Sequence, residues 1–339
     1  MKIGIAGLKY SGKTSLFKLL TGIDVSFEKA EVNRGITKVP DTRIDFLSSI
    51  YEPKKTTFAQ LELVDIPGID PENHNNRKFF EDIRKVDLLM VVLRDFDSEM
   101  YPNPMNSNDY KRDYNVIRDE MIIQDLTLVE KRLENVEKQI KKLKTKDLEI
   151  EQGLLKKALD ILNKGEFLTK MEIKEEEEQY VRTYAFFTLK ILLPVINTSE
   201  ENINKECDFP AFSVQVESEI SELPESEREM FYEELGIKEP ALNKIVRHVY
   251  IKSGLISFFT VGKDEVRAWT IDQGTNARKA AGKIHSDLEK GFIRAETCSY
   301  SDFLEHKDLN KAKNDNKVRV EGKEYIVKDG DILNIRFNV

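Results

Sequence analysis

The sequence predicts an α/β fold in which parallel strands alternate with helices around a phosphate-binding loop. Residues 7–14 have the spacing G-x-x-x-x-G-K-[ST], the pattern of a loop that surrounds nucleotide phosphates. An apolar run at residues 2–6 precedes the loop as a predicted strand, and residues 15–20 carry apolar side chains at helical intervals. Residues 86–93 are nearly all apolar, which is typical of a strand buried in a parallel sheet. These observations predict a P-loop NTPase domain.

The phosphate-binding loop is expected to direct several hydrogen-bond donors at one nucleotide. Its glycines let successive backbone N–H groups point inward, and the helix that follows adds the positive end of its dipole. Lys13 is expected to reach the β- and γ-phosphates, and the Thr14 hydroxyl to coordinate Mg²⁺. The loop residues predicted to bind nucleotide are Gly7, Lys9, Tyr10, Ser11, Gly12, Lys13, Thr14 and Ser15.

Composition and charge exclude some classes of function. The formal net charge is −8, so nucleic acid could be bound only at a local basic patch, and no DNA specificity is evident. No apolar run approaches the length of a membrane span, and the predicted strand at residues 2–6 leaves no room for a signal peptide. Cys207 and Cys298 are isolated and lack metal-ligand spacing, which indicates a reducing cytoplasm.

The next stretch contains the expected switch elements of a nucleotide-binding domain. Residues 24–39 lie where a switch loop is expected, and an amphipathic helix is predicted to begin within residues 41–47. Residues 59–65 alternate like a half-buried strand and lead into a D-x-x-G arrangement. Asp65 is expected to hold Mg²⁺ through water, and the Gly68 N–H to contact a γ-phosphate. The predicted catalytic residues are Lys13, Thr14, Asp65 and Gly68, and the predicted metal ligands are Thr14 and Asp65.

Two further strands are predicted at residues 191–197 and 212–216, and the first ends in N-T-S-E at residues 197–200. Ligands bind at the carboxyl ends of strands in an open α/β sheet, so this tetrapeptide is a candidate base-recognition loop. The residues predicted to complete the nucleotide site here are Asn197, Thr198, Glu200, Ser213 and Val214.

A helical region interrupts the α/β order at residues 122–185. Apolar residues there step by alternating four and three, which predicts a coiled-coil seam formed by Ile122, Leu126, Val129, Leu133, Val136, Ile140 and Leu143. A second helical run at residues 154–162 could fold back as an antiparallel hairpin, and another helix is expected to start at residues 175–178. The tip carries Lys138, Lys141, Lys142, Lys144 and Lys146, either as a patch for RNA phosphates or as a solvated face.

The C-terminal third predicts a small α+β module. Residues 255–261 and 265–271 form a predicted hairpin, followed by a helix at residues 276–286. Residues 318–327 predict a second pair of strands, and residues 332–337 predict a last strand. The histidines of this region have no recognisable catalytic partner, so an interaction module is expected.

Several long motifs resemble the YchF family, the Obg-like ATPases of the P-loop GTPase class. The motifs that look like the family's TGS domain are residues 258–262, 265–270, 280–285, 290–296 and 329–331. Residues 39–43 and 217–220 also look like family signatures, so the resemblance covers essentially the whole chain. It implies a P-loop domain at residues 1–118 and 189–252, an inserted coiled-coil hairpin at 119–188 and a β-grasp-like TGS domain at 253–339.

The base-recognition loop is similar to the N-x-x-E that replaces the N-K-x-D motif of GTPases in this family. The aspartate of N-K-x-D accepts hydrogen bonds from guanine N1–H and its 2-amino group, and adenine has neither donor. The lysine that packs on the base is Thr198 here. The resemblance therefore implies ATP with Mg²⁺ as the ligand, with Asn197 bonding the adenine edge through its amide.

The sequence departs from the family pattern around the phosphates. Many GTPases follow D-x-x-G with a glutamine that orients water, whereas this chain has Ile69. The family also carries a hydrophobic residue there, which implies slow or partner-stimulated hydrolysis. Residues 70–77 lack the family's glycine-rich segment, and Tyr10 replaces a usual asparagine. The expected switch threonine falls on Lys29, with Thr37 and Ser26 as alternatives.

The leading hypothesis from the sequence is a cytoplasmic ATP-binding switch with slow hydrolysis that works with ribosomes or RNA through its coiled coil and TGS domain. A nucleotide-gated binding protein without turnover is the second hypothesis, because of Ile69, Lys29 and the missing glycines. A GTP-specific GTPase is the third.

Overall fold

The computed structural model describes residues 1–25, 32–71, 76–237 and 239–338. The chain forms two compact units, and each contains two separate stretches of sequence. The first unit comprises Met1–Gly35 and Glu62–Leu242, and the second comprises Ile36–Leu61 and Asn243–Val339. The sequence did not predict that residues 36–61 would join the C-terminal part of the chain. The division into four segments at the predicted boundaries stays a prediction.

The strands of the described residues are β1 (Lys2–Ala6), β2 (Asn33–Lys38), β3 (Lys55–Thr57), β4 (Gln60–Asp65), β5 (Leu88–Asp95), β6 (Ile191–Thr198), β7 (Ala211–Phe212), β8 (Leu255–Thr260), β9 (Glu265–Asp272), β10 (Phe292–Ser299), β11 (Val318–Glu321) and β12 (Asp331–Phe337). The α-helices are α1 (Lys13–Thr21), α2 (Thr42–Tyr51), α3 (Arg77–Ile83), α4 (Tyr110–Lys142), α5 (Lys146–Asn163), α6 (Glu178–Tyr184), α7 (Val214–Glu222), α8 (Glu225–Glu234), α9 (Ala241–Lys252), α10 (Ala277–Ile284), α11 (Ser286–Lys290), α12 (Tyr300–His306) and α13 (Leu309–Asn314). Among the described helices we find none with the length and apolar character needed to span a membrane.

Strands β4, β1, β5, β6 and β7, in this order, form an open sheet at the centre of the first unit. The pairs β4–β1, β1–β5, β5–β6 and β6–β7 are parallel. Its core is apolar because β5 is buried from Leu88 to Arg94 and β1 contributes the fully buried Ile3 and Ile5. The strands predicted at residues 2–6, 59–65, 86–93 and 191–197 are confirmed within two residues. Their carboxyl ends meet at one edge of the sheet, where a ligand is expected.

The strand predicted at residues 212–216 is wrong. Only Ala211 and Phe212 form β7, and α7 begins at Val214. The Ser213 hydroxyl accepts a hydrogen bond from the Val216 N–H at 3.4 Å and caps the helix. The polar–apolar alternation of this stretch therefore marks the start of a helix that buries one face.

The predicted helical hairpin is confirmed as α4 and α5, which are joined by residues 143–145. The seam positions Ile122, Val129 and Val136 of α4 are buried in a cluster with apolar residues of α5. Leu143 is a wrong assignment, because α4 ends at Lys142 and Leu143 is 69% exposed. A 3-10 turn and α6 follow at residues 175–184, as expected.

A second sheet with the order β11-β10-β12-β8-β9-β3 forms the centre of the second unit. The predicted hairpin is confirmed as the antiparallel pair β8–β9, and the helix predicted at residues 276–286 is confirmed as α10, capped by Asn276. The second predicted pair of strands, at residues 318–327, is half right. Residues 318–321 form β11, but residues 322–327 form no strand, and β11 pairs with β10, a strand that was not predicted. The Tyr325 and Lys323 carbonyls instead accept hydrogen bonds from the first N–H groups of α10, from Ala277 at 2.7 Å and from Arg278 at 3.4 Å.

Arg43 links residues 36–61 to the C-terminal stretch of the second unit. The Arg43 guanidinium donates to Asp41 at 2.8 Å and to Asp329 at 2.7 Å, and it lies over the Phe259 ring at 5.2 Å. Asp329 also accepts from the Ser257 N–H at 2.9 Å. Two motifs that resembled family signatures, residues 39–43 and 329–331, therefore meet through one charged contact.

The hairpin seam predicts a large effect of cavity formation in α5. We expect Leu154→Ala to destabilise the hairpin by about 2–5 kcal/mol, because Leu154 is fully buried. Amide hydrogen exchange in α4 and α5 measures this loss. The exposed Leu143→Ala is the matched control and should change stability by less than about 0.5 kcal/mol. Equal effects of the two variants would contradict the assigned seam.

The arginine contact predicts a stability loss confined to the second unit. Arg43→Ala leaves the Asp329 carboxylate without its guanidinium, so we expect a loss of about 1–3 kcal/mol. Denaturant unfolding followed by the fluorescence of Trp269, the only tryptophan of the chain, reports on this unit. Lys54→Ala, which removes an exposed ion pair with Asp264, is the control and should have little effect. A midpoint unchanged in both variants would show that the Arg43 contact adds no stability.

Candidate nucleotide-binding site

The phosphate-binding loop connects β1 to α1, and its glycines are required by close backbone and side-chain contacts. Gly7 and Gly12 have φ values of +152° and +92°, in the region that favours glycine. A Cβ on Gly7 would lie 2.5 Å from the Val92 carbonyl oxygen, and a Cβ on Gly12 would lie 2.4 Å from the Asn197 amide nitrogen. The two glycines therefore let the loop fit against β5 and β6.

The ammonium group of Lys13 is buried at the start of α1. Its side chain donates from Nζ to the Leu8 carbonyl at 2.6 Å. Burial lowers the pKa of Lys13 to about 8, and the nearby Asp65 carboxylate opposes this shift. Gly68 lies next to it, since a Cβ there would be 2.7 Å from Lys13 Nζ. The ammonium group is thus placed where phosphate oxygens could replace a backbone carbonyl as its acceptor.

Thr14 and Asp65 bring together the oxygen atoms that a Mg²⁺ ion would use. The Thr14 hydroxyl donates to Asp65 Oδ2 at 2.9 Å, and the Asn33 amide approaches the same oxygen at 3.5 Å. Asp65 Oδ1 is buried without a hydrogen-bond partner among the described residues. Burial raises the pKa of the Asp65 carboxyl. Hard oxygen donors, one of them unsatisfied, fit the chemistry of Mg²⁺.

The segment after D-x-x-G is joined to the phosphate-binding loop by backbone hydrogen bonds. The Lys9 N–H donates to the Ile69 carbonyl at 2.9 Å, and the Ile69 N–H donates to the Gly7 carbonyl at 3.0 Å. Ile69 is fully buried in the apolar core of the first unit. The Lys9 ammonium forms an ion pair with Asp70. Ile69 therefore anchors this segment and offers no polar group to a water molecule.

Asn197 joins three elements at the carboxyl edge of the sheet. Its side-chain amide donates to the Ser11 carbonyl at 3.1 Å and accepts from the Val214 N–H at 3.0 Å. Thr198 is buried and its hydroxyl lies 3.1 Å from Asp95 Oδ2. Both ends of the Asn197 amide, which was expected to bond the adenine edge, thus already form hydrogen bonds within the protein, and Asn197 positions the phosphate-binding loop.

A cavity of about 610 Å³ opens beside the loop. The predicted residues that line it are Tyr10, Gly12, Lys13, Thr14, Ser15, Asn197, Thr198, Ser213 and Val214. The predicted residues outside this lining, within the described part of the chain, are Gly7, Lys9, Ser11, Asp65, Gly68 and Glu200. Glu200 is exposed at the start of a 3-10 turn. The roles assigned to all of these side chains stay predictions.

Part of the cavity wall was missed by sequence reasoning. The lining residues that were not predicted are Phe96, Asp97, Ser98, Tyr101 and Gln215, and Ser199 of the predicted base-recognition loop also lines the cavity. The first four follow β5, whose carboxyl end meets the same sheet edge as that of β6. Ligands bind at the carboxyl ends of strands in such a sheet, and this rule was used only for the loop after β6. The same rule applied to the loop after β5 would have found these four residues. Lys29 and Ser26 lie outside the described residues, and Thr37 is buried within β2.

Two family models match the chain. The model YchF-GTPase_C, described as "Protein of unknown function (DUF933)", matches residues 255–338. The model MMR_HSR1, described as "50S ribosome-binding GTPase", matches residues 2–155. The first match lies in the predicted C-terminal module. The second covers the predicted first part of the P-loop domain and extends into the predicted helical hairpin.

Curated relatives and a solved structure match the whole chain. Proteins named "Ribosome-binding ATPase YchF" from Escherichia coli O157:H7 and Bacillus subtilis (strain 168) are 37% and 38% identical to it. These matches cover 100% and 99% of this chain and 99% of each relative. The structure of the Schizosaccharomyces pombe YchF GTPase superposes with a TM-score of 0.85 at 28% identity, over 99% of this chain and 97% of that chain. The predicted fold class is thereby confirmed.

The contacts of Asn197 predict that it supports the phosphate end of the site. We expect Asn197→Ala to weaken binding of both ATP and inorganic tripolyphosphate by about tenfold, because two buried hydrogen bonds to the loop and to α7 are lost. Titration calorimetry measures both affinities. Glu201→Ala, an exposed change nearby, is the control. Unchanged tripolyphosphate affinity in Asn197→Ala would refute this positioning role.

Proposed function

Because this chain belongs to the YchF family, we propose that it is a nucleotide-dependent switch that binds ATP with Mg²⁺, hydrolyses it slowly and acts with the ribosome. The observation that carries the proposal is the meeting of Lys13, Thr14 and Asp65 beside a cavity of about 610 Å³. The names of the full-length relatives support ATP as the nucleotide and the ribosome as the partner.

The residues at the phosphate end would act by positioning and by charge neutralisation. Lys13 would bind the β- and γ-phosphates in place of the Leu8 carbonyl. Thr14 and Asp65 would hold Mg²⁺, which neutralises charge on the phosphates when bound. Gly68, with no side chain to block access, would present its N–H to the γ-phosphate. These roles require no acid–base residue.

Slow turnover is supported by the position that follows D-x-x-G. Ile69 is fully buried, and its backbone is bonded to Gly7 and Lys9. It carries no polar atom that could orient an attacking water. Hydrolysis would therefore depend on the remaining charge stabilisation, or on a group supplied by a partner.

The tip of the helical hairpin supports an RNA contact on the ribosome. Lys138 and Lys144 form ion pairs with Glu134 and Glu149, which reduces their charge available to phosphates. The other exposed lysines of the tip are Lys141, Lys142 and Lys146. Three exposed cations within six residues of sequence, with the exposed Asp147 beside them, are a candidate basic patch on a chain of net charge −8. We assign a cytoplasmic location to the protein as part of this proposal.

A second candidate function is a nucleotide-gated binding protein without turnover. The Lys9–Asp70 ion pair and the backbone bonds of Ile69 favour it, because they hold the segment after D-x-x-G against the phosphate-binding loop. A GTP-specific GTPase is a third, weaker candidate, since Thr198 is buried and Glu200 lies outside the cavity lining in the described structure.

Phosphate release separates these functions. We expect slow Mg²⁺-dependent ATP hydrolysis, stimulated by ribosomes, and a loss of about 10²-fold or more in Lys13→Ala, because the buried cation is removed. Lys18→Ala, a half-exposed lysine of the same helix, is the control and should retain activity. Chelation of Mg²⁺ should abolish turnover.

The same measurement identifies the failures. Turnover that strongly prefers GTP would overturn the ATP assignment. Tight ATP binding without any hydrolysis, even with ribosomes, would replace the proposal by the second candidate. Turnover that survives Lys13→Ala would show that the activity does not come from this site.

A further inference from the structure

Two tyrosines form an aromatic pair on the wall of the nucleotide cavity. The ring centroids of Tyr10 and Tyr101 are 5.8 Å apart with an interplanar angle of 31°. Both line the cavity, and the two residues are 50% and 49% exposed. Each ring therefore has apolar surface exposed to solvent in the described structure.

The position of Tyr10 is imposed by the loop. Its φ of +62° lies in the left-handed region, which tyrosine adopts rarely. The Arg94 guanidinium donates to the Tyr10 carbonyl at 3.2 Å and to the Phe96 carbonyl at 3.0 Å. Arg94 itself is buried, at 3% exposure. A buried cation thus ties the strained residue to the segment that carries Tyr101, and strain of this kind is concentrated at functional sites.

The base-recognition loop offers little to a purine. Asn197 has its carboxamide oxygen bonded to Val214, and the Thr198 hydroxyl is directed to Asp95. Glu200 is exposed and does not line the cavity as described. No long side chain occupies the Thr198 position, where a lysine packs on the base in N-K-x-D proteins. The aromatic side chains of the cavity wall are Tyr10, Phe96 and Tyr101. The Arg94 guanidinium already lies over the Phe96 ring, at 4.3 Å from its centroid, which leaves the two tyrosines as rings open to a flat base.

We infer that Tyr10 and Tyr101 provide the stacking surface for the purine ring of the bound nucleoside triphosphate. The inference rests on the proposed nucleotide-binding function and extends it to two residues. Every purine has the same kind of π-face, so stacking adds affinity with little choice between bases. The pair therefore strengthens ATP and GTP binding alike, and the choice of base is made elsewhere.

Titration calorimetry with ATP, GTP and inorganic tripolyphosphate, each with Mg²⁺, tests the inference. Tyr10→Asn removes the ring and keeps a residue that accepts a left-handed backbone. We expect Tyr10→Asn and Tyr101→Ala each to weaken ATP and GTP binding by about tenfold and to leave tripolyphosphate binding unchanged. Tyr10→Phe should bind as the unmodified protein does, because stacking needs only the ring. Met100→Ala, at an exposed neighbour outside the cavity lining, is the matched control.

The failures of the two proposals are distinguishable. Equal losses for ATP and tripolyphosphate would overturn the inference, because the tyrosines would then act through the phosphate-binding loop. Unchanged ATP affinity in both tyrosine variants, with binding lost in Lys13→Ala, would overturn the inference and leave the proposed function intact. Binding of tripolyphosphate without binding of any nucleotide would overturn both.

Discussion

The first unit depends on keeping one ammonium group, that of Lys13, buried beside the cavity. Removing a charge from water is expensive unless polar groups replace the lost hydration. The Leu8 carbonyl accepts its hydrogen bond, and the Asp65 carboxylate supplies the opposite charge. Gly68 leaves room for it, because any side chain there would collide with Nζ. The positions of the Leu8 carbonyl and the Asp65 carboxylate and the need for glycine at residue 68 thus all follow from the solvation of a single cation.

The sequence predicted those parts of the fold and site that are specified locally. The phosphate-binding loop could be found because its glycines and Lys13 lie within one strand–turn–helix unit. The helical hairpin could be found because its seam repeats along one helix. The seam was extended one position too far, to Leu143, because the heptad pattern continues past Lys142, where the helix itself ends.

The features that were not predicted depend on contacts between residues far apart in the sequence or on the residue that caps a helix. Strand β3 pairs with β9 through Lys55 and Glu265, and no local pattern marks such a partner. The stretch that starts α7 has the polar–apolar alternation of a strand, but the Ser213 side chain caps the first turn and favours a helix. In the site, Tyr101 was missed because it follows β5 in a stretch with no motif. Asn197 was found, yet its bonds to the loop and to α7 emerge only from the fold.

The membership of residues 36–61 in the second unit has a consequence for synthesis of the chain. This stretch leaves the ribosome early, but its partners β9 and Asp329 lie more than 200 residues later. Strand β3 cannot pair with β9, and Arg43 cannot bind Asp329, until most of the polypeptide has been made. The second unit cannot be completed co-translationally, and its sheet edge at β9 stays uncovered in any C-terminal fragment that begins after residue 61. Fragments of this kind would be prone to pair through that edge.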